Sequence, residues 1–193
     1  MAMDKKLEKI DENLFYLPSV REPVLSADVF LIRGEKYNYL FDVGASDEAL
    51  EFLQQLDNRV AIISHFHADH STNLRRIGFE KVYEGKLDDM VCIDDGVHLE
   101  ISPITSCHCK GSLMLRFGVY LLVGDSLYST TVQGRPAYNV QKLSCTIKEL
   151  EKESALYVVQ SHNPKPIPMT QAIGFLKEIY SKRDKNSPYI FVD

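Results

Sequence analysis

Nowhere in this sequence of 193 residues do apolar side chains run long enough to cross a bilayer. Positive charge is in short supply as well: 22 Lys and Arg stand against 27 Asp and Glu, a formal net charge of −5. Neutralising phosphates takes clustered cations, so no nucleic-acid partner is expected. The four cysteines, Cys92, Cys107, Cys109 and Cys145, follow no disulfide-framework spacing and suit a reducing compartment. The opening residues are charged and lack the apolar core of a signal peptide. These absences point to a cytoplasmic protein with no membrane partner. Repeats, low-complexity stretches and linkers are missing too, so residues 1–193 are expected to form a single domain, large enough to bury a core without staples.

Histidine is scarce, and that scarcity is informative. Of six histidines, three fall in His65-Phe66-His67-Ala68-Asp69-His70, directly after the apolar run Val60-Ala61-Ile62-Ile63. A strand ending in such a turn and entering a helix brings three imidazoles and a carboxylate together. That set suits Zn, Fe or Mn rather than Ca or Mg. The turn is half a metal site and needs partners from elsewhere.

Periodicity supplies the setting. Residues 13–17, 27–32 and 37–42 read as strands, with Asp42-Val43-Gly44 as a turn and Ser46 as a helix cap. Apolar positions 49, 50, 53 and 56 share one helix face. After the histidine turn, a helix is expected from Asp69 to Ile77, stopped at Gly78. Strands follow at residues 81–83, 90–93, 97–104, 113–117 and 119–123, then a helix over 140–153 and a strand over 155–160. The Pro-rich stretch Pro164 to Pro168 reads as a loop, residues 170–182 as a helix, and 189–192 as an edge strand or packed tail. Two meanders, each followed by βα elements, predict two sheets packed face to face with helices outside.

Three later positions share one feature, a ligand-type side chain at the end of an apolar strand: His108, Asp125 and His162. The ordered set His65-x-His67-x-Asp69-His70, His108, Asp125 and His162 resembles the metal-binding signature of the metallo-β-lactamase fold superfamily. Phe41-Asp42-Val43-Gly44, Gly111-Ser112 and Gly124-Asp125-Ser126 resemble its flanking turns, and the resemblance spans roughly residues 13–165. It implies a four-layer αββα sandwich of the α/β class. It also implies two divalent ions, zinc first with iron or manganese as alternatives. His65, His67 and His108 would hold one ion; Asp69, His70 and His162 would hold the other, with Asp125 bridging. Asp69 would also orient the nucleophile or receive its proton, and Asp42 would orient a histidine ligand from behind.

The implied activity is hydrolysis of a small-molecule ester, thioester or lactone by a metal-bridging hydroxide. Asp125 differs from the Cys or Ser of true β-lactamases, and His67-Ala68-Asp69-His70 lacks the glutamate of flavodiiron proteins. What remains resembles glyoxalase II thioesterases and acyl-homoserine lactonases. Two other readings stay open: a mononuclear iron oxygenase resembling persulfide dioxygenases, and a non-catalytic metal-binding module. Away from the signature, His98 reads as a surface residue. Cys107 and Cys109 read as buried thiols facing away from His108. Tyr128 and Tyr138 read as packing residues, and the Asp88-Asp89 and Asp94-Asp95 run as a solvated turn.

Overall fold

Alternation along one strand shows how the layers arise. In a computed structural model describing residues 7–85 and 87–192, β3 (Val29–Arg33) points Phe30 and Ile32 to one side and Val29 and Leu31 to the other. Both faces are apolar, so both must be covered. Val29 and Leu31 pack with Phe52, Leu53 and Leu56 of helix α1 (Asp47–Gln54) and its end. Phe30 and Ile32 meet Leu99, Ile101, Leu113 and Leu115 of a second sheet. That sheet's far face, carrying Met114, Leu121 and Val158, packs with Leu143, Ile147 and Leu176 of two further helices. Three apolar cores therefore separate four layers, helix–sheet–sheet–helix.

The first sheet has the order β1 (Glu8–Lys9), β2 (Leu14–Leu17), β3, β4 (Asn38–Phe41), β5 (Arg59–Ile62), β6 (Lys81–Tyr83). Its β4–β5 and β5–β6 pairs are parallel, and α1 makes the crossover between β4 and β5. Ser46 caps α1, its side chain accepting from Ala49 N at 3.1 Å. The second sheet contains β7 (Val91–Asp94), β8 (His98–Ile104), β9 (Ser112–Phe117), β10 (Tyr120–Leu122), β13 (Tyr157–Gln160) and β14 (Asn163–Pro168). It runs in the order β14-β13-β10-β9-β8-β7, with β10 and β13 parallel. Helix α3 (Val140–Leu150) connects these two strands, and α4 (Met169–Ser181) follows β14.

Several expectations change. The Pro-rich stretch is strand β14, antiparallel to β13. An edge strand needs N–H donors on one side only, so Pro164, Pro166 and Pro168 are tolerated there. The helix after the histidine turn is a single α-turn, α2 (Ala68–Ser71), continued as a 3₁₀ turn over Thr72–Arg75. Buried Asn73 tightens it there, donating from its side chain to Val43 O and Ser46 O. Residues 189–191 form β15 (Tyr189–Phe191), which joins β11 (Thr130–Val132) and β12 (Arg135–Asn139) in a small third sheet. The sequence pattern around β11 and β12 gave no alternation to find. Among the described residues no helix is long and apolar enough to cross a membrane. Residues 1–6, read above for signal-peptide character, lie outside the described residues.

Asp95 is not a solvated turn residue. It is buried at the β7–β8 turn and accepts from Lys36 N at 3.1 Å, Tyr37 N at 2.9 Å and Tyr39 Oη at 3.1 Å. The Tyr37 and Lys36 amides and the Tyr39 hydroxyl hold its carboxyl below the usual range, against the opposing effect of burial. It ties the β3–β4 hairpin of one sheet to a turn of the other. Removing it strands three donors, and hydrogen bonds to charged groups are each worth about 1.5–3 kcal/mol. Asp95→Ala is expected to lower unfolding stability by about 2–3 kcal/mol in urea titration, and a loss under about 0.5 kcal/mol would contradict this role.

Candidate metal centre

The histidine turn begins where β5 stops. Asp42, at the end of β4, takes a positive φ of 62° and turns its buried carboxylate across to the neighbouring strand. Oδ1 accepts from Ser64 N at 2.8 Å, and Oδ2 accepts from Ser64 Oγ at 2.8 Å and from His70 Nδ1 at 2.7 Å. His70 Nδ1 is thereby committed, and Nε2 is left aimed at Asp69 and Asp125. The rest of the turn is stitched down by backbone. Val43 N and Gly44 N donate to His70 O, and Ala27 N donates to Asp69 O.

Three imidazoles converge beside it. His67 Nδ1 lies 3.0 Å from His65 Nε2 and 3.1 Å from His108 Nε2. A tetrahedron about a zinc-sized ion with bonds of about 2.05 Å has edges of about 3.3 Å, so this spacing fits such a cation. His108 comes from the β8–β9 loop and is steadied by Ser129 O, 3.1 Å from its Nδ1. Burial, then the neighbouring His70, pushes the His65 pKa down to about 3; burial, then His108, lowers that of His67. Both are therefore neutral, the form that binds metal.

A second group adjoins the first. His70 Nε2 lies 3.4 Å from Asp69 Oδ2 and 3.3 Å from Asp125 Oδ2, and His162 Nε2 lies 3.2 Å from Asp69 Oδ2. Asp125 Oδ2 is also 3.5 Å from His108 Nε2, so one carboxylate oxygen faces both groups. Burial opposes ionisation of Asp69, but the hydrogen bond from His162 and the His70 charge bring its pKa down to about 2. His70 is disfavoured as a cation by burial, yet Asp42 and Asp125 push its pKa up to about 11. That affinity for a proton measures how strongly these carboxylates call for positive charge. Among the described residues, buried His70 Nε2 and Asp125 Oδ1 have no hydrogen-bond partner. A buried orphan nitrogen and a buried orphan carboxylate oxygen, side by side, fit a metal ion as their shared partner.

All seven ligand-type residues read from the sequence are thus brought together, in two groups: His65, His67 and His108, then Asp69, His70, Asp125 and His162. The cysteines are not among them. Cys107 and Cys109 are buried, and burial raises both thiols; Cys107 Sγ contacts Asn139 O at 3.5 Å. The segment from 105 to 111 is irregular rather than a strand, so the alternation argument does not apply there. The Tyr128 and Tyr138 hydroxyls both donate to backbone, to Ser161 O at 2.8 Å and Leu127 O at 3.1 Å. His98 is exposed, between Asp94 and Glu100.

Two supporting residues escaped the sequence reading. Ser64 is one. Asp28, fully buried before β3, is the other: it accepts from Ser19 N at 2.7 Å and from His162 N at 2.6 Å. His162 takes a φ of +64°, a left-handed conformation costly for a residue with a Cβ, and the Asp28 bond holds it there. A carboxylate inside the apolar run Ala27 to Ile32 was the available signal. Gly124, φ +54°, is the close approach that joins the sheets: a Cβ there would lie 2.4 Å from Ser64 Oγ.

Residues 23–83 match the family model described as the metallo-beta-lactamase superfamily. No curated protein sequence matches the chain. Among solved structures, a metallo-beta-lactamase from Pontibacter korlensis superposes with TM-score 0.63 at 14% identity, covering 89% of this chain and 98% of that one. An archaeal metallo-beta-lactamase superfamily protein from Sulfolobus tokodaii gives TM-score 0.62 at 18% identity, covering 92% and 90%. Rubredoxin oxygen:oxidoreductase from Desulfovibrio gigas gives TM-score 0.71 at 14% identity, covering 93% of this chain and 63% of that one. At such identities the likeness is one of fold.

Because Asp28 touches the two ligand groups at His162 alone, its other bond going to Ser19 N, its loss should be felt unevenly. Asp28→Ala is expected to weaken metal binding about 10–100-fold at the group containing His162 and to spare the group containing His65. Chelator-competition titration resolves the two affinities, and equal weakening of both would contradict the assignment.

Proposed function

We propose that this chain, whose residues 23–83 match the metallo-beta-lactamase superfamily model, is a metal-dependent hydrolase of that superfamily acting on a small ester, thioester or lactone. The observation that carries the reading is Asp125, whose Oδ2 lies within 3.5 Å of both His108 Nε2 and His70 Nε2. A carboxylate shared between two complete ligand groups suits two ions held close together, the arrangement of hydrolytic sites. It favours that chemistry over a mononuclear oxygenase, which has no use for a full second group. His65, His67 and His108 would hold one ion; Asp69, His70 and His162 would hold the other, with Asp125 common to both. Zinc suits this set of imidazole and carboxylate donors, and iron or manganese shares the preference.

Divalent ions in this position supply Lewis acidity and bring the pKa of water down to about 7. The side chains do the rest. Asp42 fixes the His70 tautomer through Nδ1, so that Nε2 faces inward. Asp28 fixes the His162 backbone. Asp69, anionic far below neutral pH and partly exposed, orients the attacking water through its carboxylate. Burial of His65, His70 and Asp125 keeps the floor of the site dry, which strengthens each electrostatic contact.

The purified chain is expected to carry two ions by elemental analysis. It should hydrolyse at least one member of a panel of thioester, lactone and carboxylic ester substrates. Asp69→Asn should retain the fold and lose at least about 100-fold in kcat. Absence of bound metal after native purification, or hydrolysis unaffected by Asp69→Asn, would overturn the reading.

A further inference from the structure

A cavity of about 400 Å3 lies against His67 and His108, and none of Asp69, His70, Asp125 and His162 lines it. Its walls come from the histidine turn, the His108 loop, β11, the start of α3 and β15. That volume is enough for a small organic molecule. Phe66, 71% exposed, stands at its edge, and Thr130 and Thr131 offer hydroxyls along one wall.

Charge is what distinguishes it. The chain as a whole is acidic, with a formal net charge of −5, yet the cavity lining contains Lys110 and Lys142 and no carboxylate. Among the described residues neither lysine is in an ion pair; the lysines that are paired lie on α4 (Lys177) and directly after it (Lys182). The carboxylate further along the same helix, Glu149, is engaged elsewhere, accepting from Thr105 N at 2.7 Å and Thr105 Oγ1 at 2.6 Å. Lys142 is half-buried in the first turn of α3, and its backbone N–H is capped by Asn139 Oδ1 at 3.0 Å. Its stem is therefore positioned by a fixed helix start. Lys142, half-buried, and Lys110, exposed, thus bring positive charge to a concavity whose own lining has no carboxylate, although Glu149 lines the cavity next to it, and such a cleft concentrates anions.

We propose that this cavity is an anion subsite, in which Lys110 and Lys142 hold a carboxylate or phosphate of the substrate while its scissile bond lies against the ligand groups. The word substrate rests on the hydrolase reading; the capture of an oxyanion does not. Carboxylate and phosphate share the same chemistry here, namely an oxygen-borne negative charge accepting from ammonium donors.

The test is a titration of the zinc-loaded full-length chain, followed through its backbone amide NMR signals. Sodium succinate and inorganic phosphate are the probes in separate arms, and uncharged succinamide is the control. At least one anion is expected to shift the Thr131 and Lys142 amides saturably, with succinamide silent, and the tighter anion identifies the group. The Lys110→Gln/Lys142→Gln double variant, with its metal content checked, should bind that anion at least 10-fold more weakly. Affinity within twofold of the parent, or no saturable shift with either anion, overturns the subsite. If anion binding is lost in the variant while no ester, thioester or lactone is hydrolysed, the subsite stands and the hydrolase reading falls. If hydrolysis occurs and the KM of an anionic ester is the same in parent and variant, the subsite falls alone.

Discussion

The Asp42 carboxylate is the contact through which the two sheets and the candidate metal centre are coupled. It leaves the end of β4 with a positive φ, crosses to β5, and takes three donors: Ser64 N, Ser64 Oγ and His70 Nδ1. Ser64 in turn packs beneath Gly124, the residue before Asp125, so closely that a side chain at 124 would collide with it. One buried anion thus sets the start of the histidine turn, the direction of a ligand and the distance to the second sheet. A charge so deeply buried is costly unless fully hydrogen-bonded, and Asp42 is.

The same logic explains why the site looks unfinished as a protein. Histidines with neutral rings at His65 and His67, and a proton-hungry His70 between carboxylates, are opposite responses to one environment. At His65 and His67 burial, and after it the neighbouring imidazoles, disfavours positive charge; at His70 burial disfavours it too, but Asp42 and Asp125 outweigh burial. Proton and metal compete for these positions, so metal affinity rises as pH removes the protons. The orphaned His70 Nε2 and Asp125 Oδ1 mark where that competition is decided.

How much of this was legible in the sequence follows from the range of each interaction. The layers were legible because element order is local: two meanders, each followed by βα elements, predict two sheets face to face with helices outside, and the two apolar faces of Val29 to Ile32 fit that order. The seven ligand-type residues were legible because each follows an apolar strand, and strand ends on one side of a sandwich converge. Asp28 and His162 are 134 positions apart, and nothing local to either reveals the other. The proline-rich edge strand was illegible for another reason. Proline removes a donor, and whether that matters depends on which neighbour the strand lacks, a fact of topology rather than of the stretch itself. Asp95 misled in the same way, since an acidic turn looks solvated until a hairpin from the other sheet covers it.

The lysine cavity extends this argument from what holds the site to what selects for it. The ligand groups are built from residues that a metal centre of any specificity could use, and they carry no information about what else a bound molecule would touch. That information has to lie in the walls, which come from β11, β15 and the start of α3, the parts of the chain outside the two main sheets. Among the described residues the two lysines there are in no ion pair, and the lining of that cavity holds no carboxylate. The ammonium groups are best accounted for by a ligand that carries the missing charge.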